Sequence, residues 1–183
     1  MKKLIYFTSL VLIVGLAGCA SPARVDSMVA HRSNAVANQP VATDLVNNIR
    51  VASVLGGENT NPLWTSQISS NDFKQALEKS LDNAGLLNAL RTGGDYELSV
   101  TLVGVDQPLI GINMTVKSTV HYWLVRISSR ETLMDEEIAR SYTAKFGDHL
   151  LGVERLRLAN EGSARVNIST LIEKLFALNI AER

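Results

Sequence analysis

Few residues in this sequence have the types and spacing that chemistry requires. The clearest pair is Asp135 and Glu137, two residues apart in a run that alternates between polar and apolar positions. On one strand face they would lie about 7 Å apart, a separation that two carboxylates use in glycoside hydrolysis. That reaction also needs a cleft and a raised carboxyl pKa, and the sequence indicates neither. A solvated strand face is the simpler interpretation of the pair.

The histidines do not complete a catalytic site either. His121 and His149 have no His, Cys or acidic residue at the spacing of metal ligands. The sequence contains no GxSxG, HExxH, P-loop or GxGxxG motif. We therefore expect a protein that is not an enzyme and that carries no catalytic residues, metal site or cofactor.

Cys19 is the only cysteine of the chain and has a more evident chemical role. It follows a basic start, Lys2 and Lys3, and an apolar run that is interrupted only by Thr8 and Ser9. This layout is typical of a secretory signal peptide, because the run is shorter than the about 20 apolar residues that span a bilayer. A single cysteine also excludes an intrachain disulfide and a thiolate metal cluster.

The residues that end this run resemble the lipobox, the processing signal of bacterial lipoproteins. Leu16 stands at its first position, Ala17 and Gly18 follow, and Cys19 is the acceptor. The resemblance implies two acyl chains on the Cys19 sulfur, cleavage before Cys19 and a third acyl chain on the new amino terminus. Two or more chains make anchoring stable, because each buried CH₂ adds about 0.8 kcal/mol. The alternatives are an ordinary cleaved signal peptide with an incidental cysteine and an N-terminal membrane anchor.

The same resemblance indicates where the protein is located. Ala20, rather than aspartate, follows the cysteine, which in enterobacterial lipoproteins favours export to the outer membrane. We therefore expect a lipid-anchored outer-membrane protein that faces the periplasm. Without residues 1–18 the chain has 16 basic and 18 acidic residues. It lacks the excess of Lys and Arg that nucleic-acid binding requires.

The chain is predicted to consist of a signal peptide, a tether and one domain. Residues 1–18 form the signal peptide, 19–44 a lipidated flexible tether, and 45–183 a single α+β periplasmic domain. The tether is predicted from its scattered Pro, Ser, Asp and Asn residues, which show no sustained periodicity. A flexible chain of about 25 residues reaches roughly 25–30 Å, so the domain is expected to stand away from the bilayer.

Helix and strand signals predict the elements at the two ends of this domain. The β-branched run 49–55 is the first strand. The first helix lies between an N-cap at Ser69 and a C′ glycine at Gly85. The last helix is predicted over 154–178, where Gly162 is expected to weaken the middle and to permit a kink.

Three runs with period-two alternation lie between the helices, at 96–102, 112–124 and 134–146. Each is typical of an antiparallel strand with one buried and one solvated face. The order of elements is therefore β-α-β-β-β-α. The fold class that follows is a two-layer α+β sandwich, in which a mostly antiparallel sheet of about four strands carries both helices on one face.

This layout behind a lipobox resembles the small envelope lipoproteins of Gram-negative bacteria, among them the LPS-assembly lipoprotein. The likeness covers nearly the whole chain, but only as an order of elements. It implies an accessory that docks on another protein of an envelope assembly or transport complex. The alternative is a periplasmic carrier that holds a lipid or another apolar ligand between sheet and helices. A filled core favours docking, whereas an apolar cavity of about 300 Å³ or more favours the carrier.

Four apolar residues stand where the pattern predicts polar ones, and they are the candidate partner contacts. Trp123 falls on the polar side of its strand, Leu109 and Ile110 lie at the tip of a hairpin, and Trp64 lies in a polar loop. Aromatic anchors dominate interface energetics. Trp64 and the hairpin tip have the alternative of folding back on their own core. For Trp123 this is harder, because alternation places its side chain outside.

Overall fold

The computed structural model describes residues 20–31, 43–60 and 66–178. After a one-turn helix, α1, the main elements have the predicted β-α-β-β-β-α order. Their bounds are α1 Val25–Met28, β1 Ile49–Leu55, α2 Ser70–Asn83, β2 Tyr96–Asp106, β3 Met114–Arg126, β4 Glu131–Ala144 and α3 Gly152–Ala177. The predicted fold class is confirmed: one sheet packs against the two long helices.

The four strands lie in the sheet in their sequence order, β1-β2-β3-β4. β1 pairs in parallel with β2, and the other two pairings are antiparallel. The parallel pairing follows from α2, because two parallel neighbours need a long crossover between them. The position of the first strand, which the sequence left open, is thus one edge of the sheet, and β4 is the other edge.

Both predicted ends of α2 are confirmed. The hydroxyl of Ser69 accepts a hydrogen bond from the Asp72 amide at 3.0 Å, so it caps the first turn. At the other end Gly85 has a φ of +73°, a conformation that glycine adopts without strain. The Leu86 amide then donates to the Leu81 carbonyl at 2.9 Å, and both leucines are buried. This is the Schellman closure that the sequence predicts.

The alternating pattern is correct within the strands and wrong at two of their ends. Alternation assigned Ile112 and Phe146 to buried faces, but they are 74% and 52% exposed. β3 begins at Met114 and β4 ends at Ala144, and these two residues form the last pair of the ladder. Beyond that pair no neighbouring strand holds the backbone, so alternation no longer determines which way a side chain points.

The last helix is continuous from Gly152 to Ala177, and the glycine in its middle has a packing role. A Cβ atom on Gly162 would overlap the ring of Tyr142 on β4. The absence of a side chain therefore lets the helix approach the edge of the sheet closely. The kink that Gly162 was expected to permit does not interrupt the helix.

A buried polar network joins this helix to the sheet. The Tyr122 hydroxyl donates to Asn167 Oδ1 at 2.8 Å. The Asn167 amide donates to the carbonyls of Ser118 and Ile138 at 3.1 and 2.8 Å. Burial raises the pKa of Tyr122 well above its ordinary value of 10. The network fixes α3 over β3 and β4, because each polar group would be costly to leave unpaired.

The segment 20–31 differs from the flexible tether that was expected over 19–44. Met28 and Ala30 are almost completely buried, and both belong to the main core. The Ala30 amide donates to the Ser80 hydroxyl at 2.9 Å. Half of the twelve residues in this segment are apolar, but they follow no sustained periodicity. The short helix α1 nevertheless contacts both α2 and α3. Residues 32–42 lie outside the described part of the chain.

Candidate functional site

Trp123 lies on the face of the sheet opposite the helices. Its residue is 45% exposed, and its indole Nε1 donates to the Thr132 hydroxyl at 3.2 Å. In the ladder it stands between Ser99 of β2 and Asp135 of β4. The only polar atom of the indole is therefore bonded within the domain, while much of its apolar surface faces solvent.

Ionisable side chains lie near this ring on the same face of the sheet. His121 Nε2 and Asp135 Oδ1 lie 2.6 Å apart, and Glu137 stands opposite His121 in the ladder. Strand pairing thus brings acidic side chains beside His121. The spacing of these residues in the sequence did not indicate this. Asp135 and Glu137 are both exposed on the open sheet face. Nothing in this arrangement forms the cleft that glycoside hydrolysis requires.

The hairpin residues Leu109 and Ile110 do not fold back on the core, since they are 82% and 88% exposed. The structure exposes four further apolar residues that the sequence did not indicate as surface residues. They lie in the same loop or in the loop that joins β4 to α3. We call the six residues together the apolar tip: Leu109, Ile110, Ile112, Phe146, Leu150 and Leu151. Leu150 and Leu151 are adjacent leucines in a polar connection, but the sequence alone does not show that the first loop lies beside them.

One buried cation joins the two loops of the apolar tip. Arg155, near the start of α3, is 5% exposed. Its Nη1 donates to the carbonyls of His149 and Leu150 at 2.7 and 2.8 Å, and its Nη2 donates to the Gly111 carbonyl at 3.3 Å. The guanidinium also lies 5.2 Å from the centre of the Phe146 ring. Arg155 therefore holds the loops side by side and satisfies three of their carbonyl groups.

The apolar tip and Trp123 are separate surfaces. The apolar tip adjoins Met114, the first residue of β3, and Trp123 comes nine residues later on the same strand. At about 3.4 Å per residue the two are about 30 Å apart along the strand. The sequence could not show whether they were contiguous, and the structure places them at different ends of the domain.

Other predicted site residues lie outside the described residues. These are the lipobox residues Leu16, Ala17 and Gly18 with the acceptor Cys19, and the loop tryptophan Trp64. Their assignments remain predictions.

The N-terminal segment is held by a charged contact close to where it begins. Arg24 donates from Nε and Nη2 to the carboxylate of Glu161 at 3.0 and 3.2 Å, and its backbone amide donates to the same carboxylate at 3.0 Å. The Glu161 side chain is only 2% exposed. The hydrogen bonds and charge of Glu161 raise the pKa of Arg24 above its ordinary value.

A surface cavity of about 430 Å³ lies beside this contact. Five of its ten lining residues are charged, and Arg24, Glu161 and Arg165 are among them. It lies between the N-terminal segment and α3, and not between the helices and the sheet. Its chemistry does not suit the apolar ligand of a carrier.

The remaining structural findings concern metals and membranes. Within 20–31, 43–60 and 66–178 no group of three or more His, Cys, Asp or Glu side chains is placed to hold a metal ion. No helix in the same residues is long and apolar enough to cross a membrane.

Known proteins resemble this chain in fold but not in sequence. No protein-family model matches it, and no curated protein matches it. A Xanthomonas campestris protein of the DUF330 family aligns with a TM-score of 0.58 at 11% identity, over 81% of this chain and 92% of that one. PelC from Paraburkholderia phytofirmans, solved as a dodecamer, aligns with a TM-score of 0.50 at 14% identity, over 78% of this chain and 97% of that one.

A minor lipoprotein from Acinetobacter baumannii aligns more loosely, with a TM-score of 0.40 at 10% identity, over 75% of this chain and 91% of that one. That likeness is too slight to argue from. At such identities the first two similarities establish the fold alone.

Proposed function

We propose that this protein is a lipid-anchored lipoprotein of the outer membrane, facing the periplasm, and that its domain is a non-catalytic docking module for an envelope assembly or transport complex. The anchor rests on the order Leu16-Ala17-Gly18-Cys19 behind a short apolar run. The outer-membrane location rests on Ala20 after the cysteine.

The observation that carries the docking role is the position of Trp123. Its ring is half exposed on a sheet face that the two long helices leave open. An exposed tryptophan whose polar atom is already bonded offers an apolar anchor, because aromatic residues supply much of the energy at interfaces. A complementary partner surface would have an apolar pocket for the indole. At the rim of that pocket it would carry hydrogen-bond donors for the carboxylates of Asp135 and Glu137.

Docking is favoured over the carrier function by the filled interior. Side chains from β2, β3 and α3 form one continuous core, and Leu98, Val120 and Ile168 are completely buried in it. The cavity beside Arg24 is charged and lies outside this core. A carrier that separates sheet from helices would have to break the Asn167 network.

The anchor is tested by Cys19→Ser in cells fed an alkyne-bearing fatty acid. We expect the unsubstituted protein to be labelled and to fractionate with outer membranes, and the variant to lose both properties, because the acyl acceptor is removed. Continued labelling of the variant would contradict the proposed anchor.

The docking role is tested by a photo-crosslinking amino acid introduced at position 123 in intact cells. We expect a cross-link to one discrete envelope protein from position 123 and none from position 90. Leu90 is a suitable control because it is 78% exposed in the turn that follows α2. Equal yields at the two positions would contradict docking at Trp123. Because the PelC neighbour was solved as a dodecamer, cross-links between copies are scored separately, and finding only those would contradict an accessory role toward a different protein.

A further inference from the structure

The apolar tip is an exposed hydrophobic surface that the proposed docking site does not use. Its six residues come from two loops that Arg155 holds together. Beneath it lies a small separate core that includes Met114, Ala144 and Leu156. Soluble monomers rarely leave several large apolar side chains together in water unless another surface covers them. We therefore expect another surface to cover the six side chains of the apolar tip.

The N-terminal segment runs along α3 toward the apolar tip. Arg165 Nη1 donates to the Ser27 carbonyl at 2.6 Å, and Arg24 contacts Glu161, one turn nearer the start of the helix. From Ser27 back to Arg24 the chain therefore runs toward Gly152, the first residue of α3. The second loop of the apolar tip leads into that residue. Asp148, from the second tip loop, lines the same cavity as Arg24.

A second set of contacts leads to the first tip loop. The Ala23 amide donates to the Gln67 carbonyl at 3.3 Å. Asn160 Nδ2 donates both to the carbonyl of the neighbouring Ser66 at 2.9 Å and to Gln107 Oε1 at 3.0 Å. Gln107 begins the loop that carries Leu109 and Ile110. The first described residues of the chain thus lie at the same end of the domain as the apolar tip.

We propose that the apolar tip inserts into the leaflet of the bilayer that holds the acyl chains of Cys19. The inference rests on the proposed lipid anchor. Ala23 belongs to the main core, and Cys19 stands four positions before it, a span of at most about 14 Å even when the chain is fully extended. Only a short stretch of chain therefore separates the anchor from the core, and the segment that follows the anchor leads to the end of the domain that carries the apolar tip.

The chemistry of the tip suits lipid. Five of its six side chains are leucine or isoleucine and the sixth is phenylalanine, so none carries a polar atom. The carbonyls of Gly111, His149 and Leu150 already accept hydrogen bonds from Arg155. An unpaired carbonyl is costly in an apolar phase, and Arg155 removes that cost for these three carbonyls. Insertion would point Trp123, about 30 Å along β3, away from the bilayer and toward the periplasm.

The test places a fluorescent probe at two equally exposed leucines of the full-length lipoprotein. Leu150→Cys marks the apolar tip, and Leu90→Cys marks the opposite end, where β2 begins; both leucines are 78% exposed. Each variant is labelled with a thiol-reactive, polarity-sensitive dye and reconstituted into phosphatidylethanolamine–phosphatidylglycerol vesicles that contain nitroxide-bearing acyl chains. Because Cys19 is the only other cysteine, its acylation leaves a single reactive thiol in each variant.

We expect the emission of the dye at position 150 to shift to shorter wavelength. We also expect its quenching to be at least about three times as strong as at position 90, as burial near the acyl boundary requires. Equal quenching at the two positions would overturn the insertion. A wavelength shift at position 150 without quenching by lipid, together with disulfide cross-links between copies of the unlabelled Leu150→Cys variant, would also overturn it and identify a second copy as the occupant.

Labelling of the unsubstituted protein distinguishes failure of the lipid anchor from failure of the insertion. If that protein takes the dye, Cys19 carries a free thiol and the lipid anchor is wrong. The same pair of probes in a Cys19→Ser background then tests the tip alone. Stronger lipid quenching at position 150 would still support insertion, and equal quenching would overturn it.

Discussion

The apolar tip and the sheet face around Trp123 are both exposed and apolar, yet their surroundings differ. Trp123 is one aromatic ring whose Nε1 is bonded to Thr132 and whose neighbours include the His121–Asp135 pair. The apolar tip consists of six side chains without a polar atom, and a buried arginine satisfies three backbone carbonyls of its loops. The first combination suits a protein surface with polar groups of its own. The second suits a phase that offers no hydrogen bonds.

The two surfaces also depend on different parts of the fold. Trp123 is fixed by the strand ladder, where every neighbour is set by register. The apolar tip is fixed by contacts between loops that lie beyond the ladder, and chiefly by Arg155. A change in one surface should therefore leave the other intact, and this independence can be measured.

Among the three substitutions that test the two surfaces, controls aside, the largest effect is expected from Arg155→Met. This change removes three hydrogen bonds to loop carbonyls but keeps an apolar stem of similar length. Bonds to a charged donor contribute about 1.5–3 kcal/mol each when well buried. Because the loops regain some water, we expect the free energy of unfolding to fall by about 2–3 kcal/mol. Amide hydrogen exchange should rise in 109–113 and 146–151 and stay unchanged around Trp123.

The control for this variant is Lys117→Met on the open sheet face. Lys117 is exposed, so its removal should alter the free energy of unfolding by no more than about 0.5 kcal/mol. Exchange that rises equally in both variants, or that spreads to β3, would show that the two surfaces are not independent.

A smaller effect is expected from Arg24→Ala, which weakens the contact that directs the N-terminal segment to the apolar tip. Two guanidinium bonds to Glu161 are lost and the backbone bond remains. Because the Arg24 side chain is 54% exposed, solvent screening limits the loss, and we expect about 1 kcal/mol. Limited proteolysis within 20–31 should become faster.

The same segment offers a matched control. Lys79 pairs with Asp26 at 2.7 Å, but both side chains are exposed, so Lys79→Ala should change the proteolysis rate little. If both variants are cleaved equally fast, the Arg24–Glu161 contact is not what secures the segment.

Much of the fold could be predicted because it depends on local signals. Ser69 and Gly85 determine the ends of α2 through their own hydrogen bonds and backbone angles, and alternation along β2 and β3 determines which residues are buried. Ile112 and Phe146 show where this reasoning stops. Their neighbours along the chain favour a strand, but the ladder ends at Met114 and Ala144, and no sequence pattern marks that point.

The apolar tip was only partly predicted for a related reason. Leu109 and Ile110 stand out between a proline and a glycine, whereas Leu150 and Leu151 become significant only when the other loop lies beside them. Arg155 reaches the Gly111 carbonyl across 44 positions of sequence, and no periodicity signals such a contact. Likewise, the packing of 20–31 depends on single side chains such as Met28, which the sequence does not distinguish from those of a linker.

Of the same three substitutions, the smallest effect on stability is expected from Trp123→Ala, which changes the sheet face and leaves the apolar tip intact. The ring is half exposed and has one internal hydrogen bond, so the free energy of unfolding should fall by no more than about 1 kcal/mol. Its neighbour Tyr122 is the matched control, because it is fully buried on the opposite face of the same strand. Tyr122→Ala should cost about 3–5 kcal/mol, as for other large aromatic truncations. In intact cells Trp123→Ala should weaken recovery of the docking partner while lipid quenching at position 150 stays unchanged. A loss of several kcal/mol from Trp123→Ala would instead assign the ring to the core, and the docking surface would have to lie elsewhere.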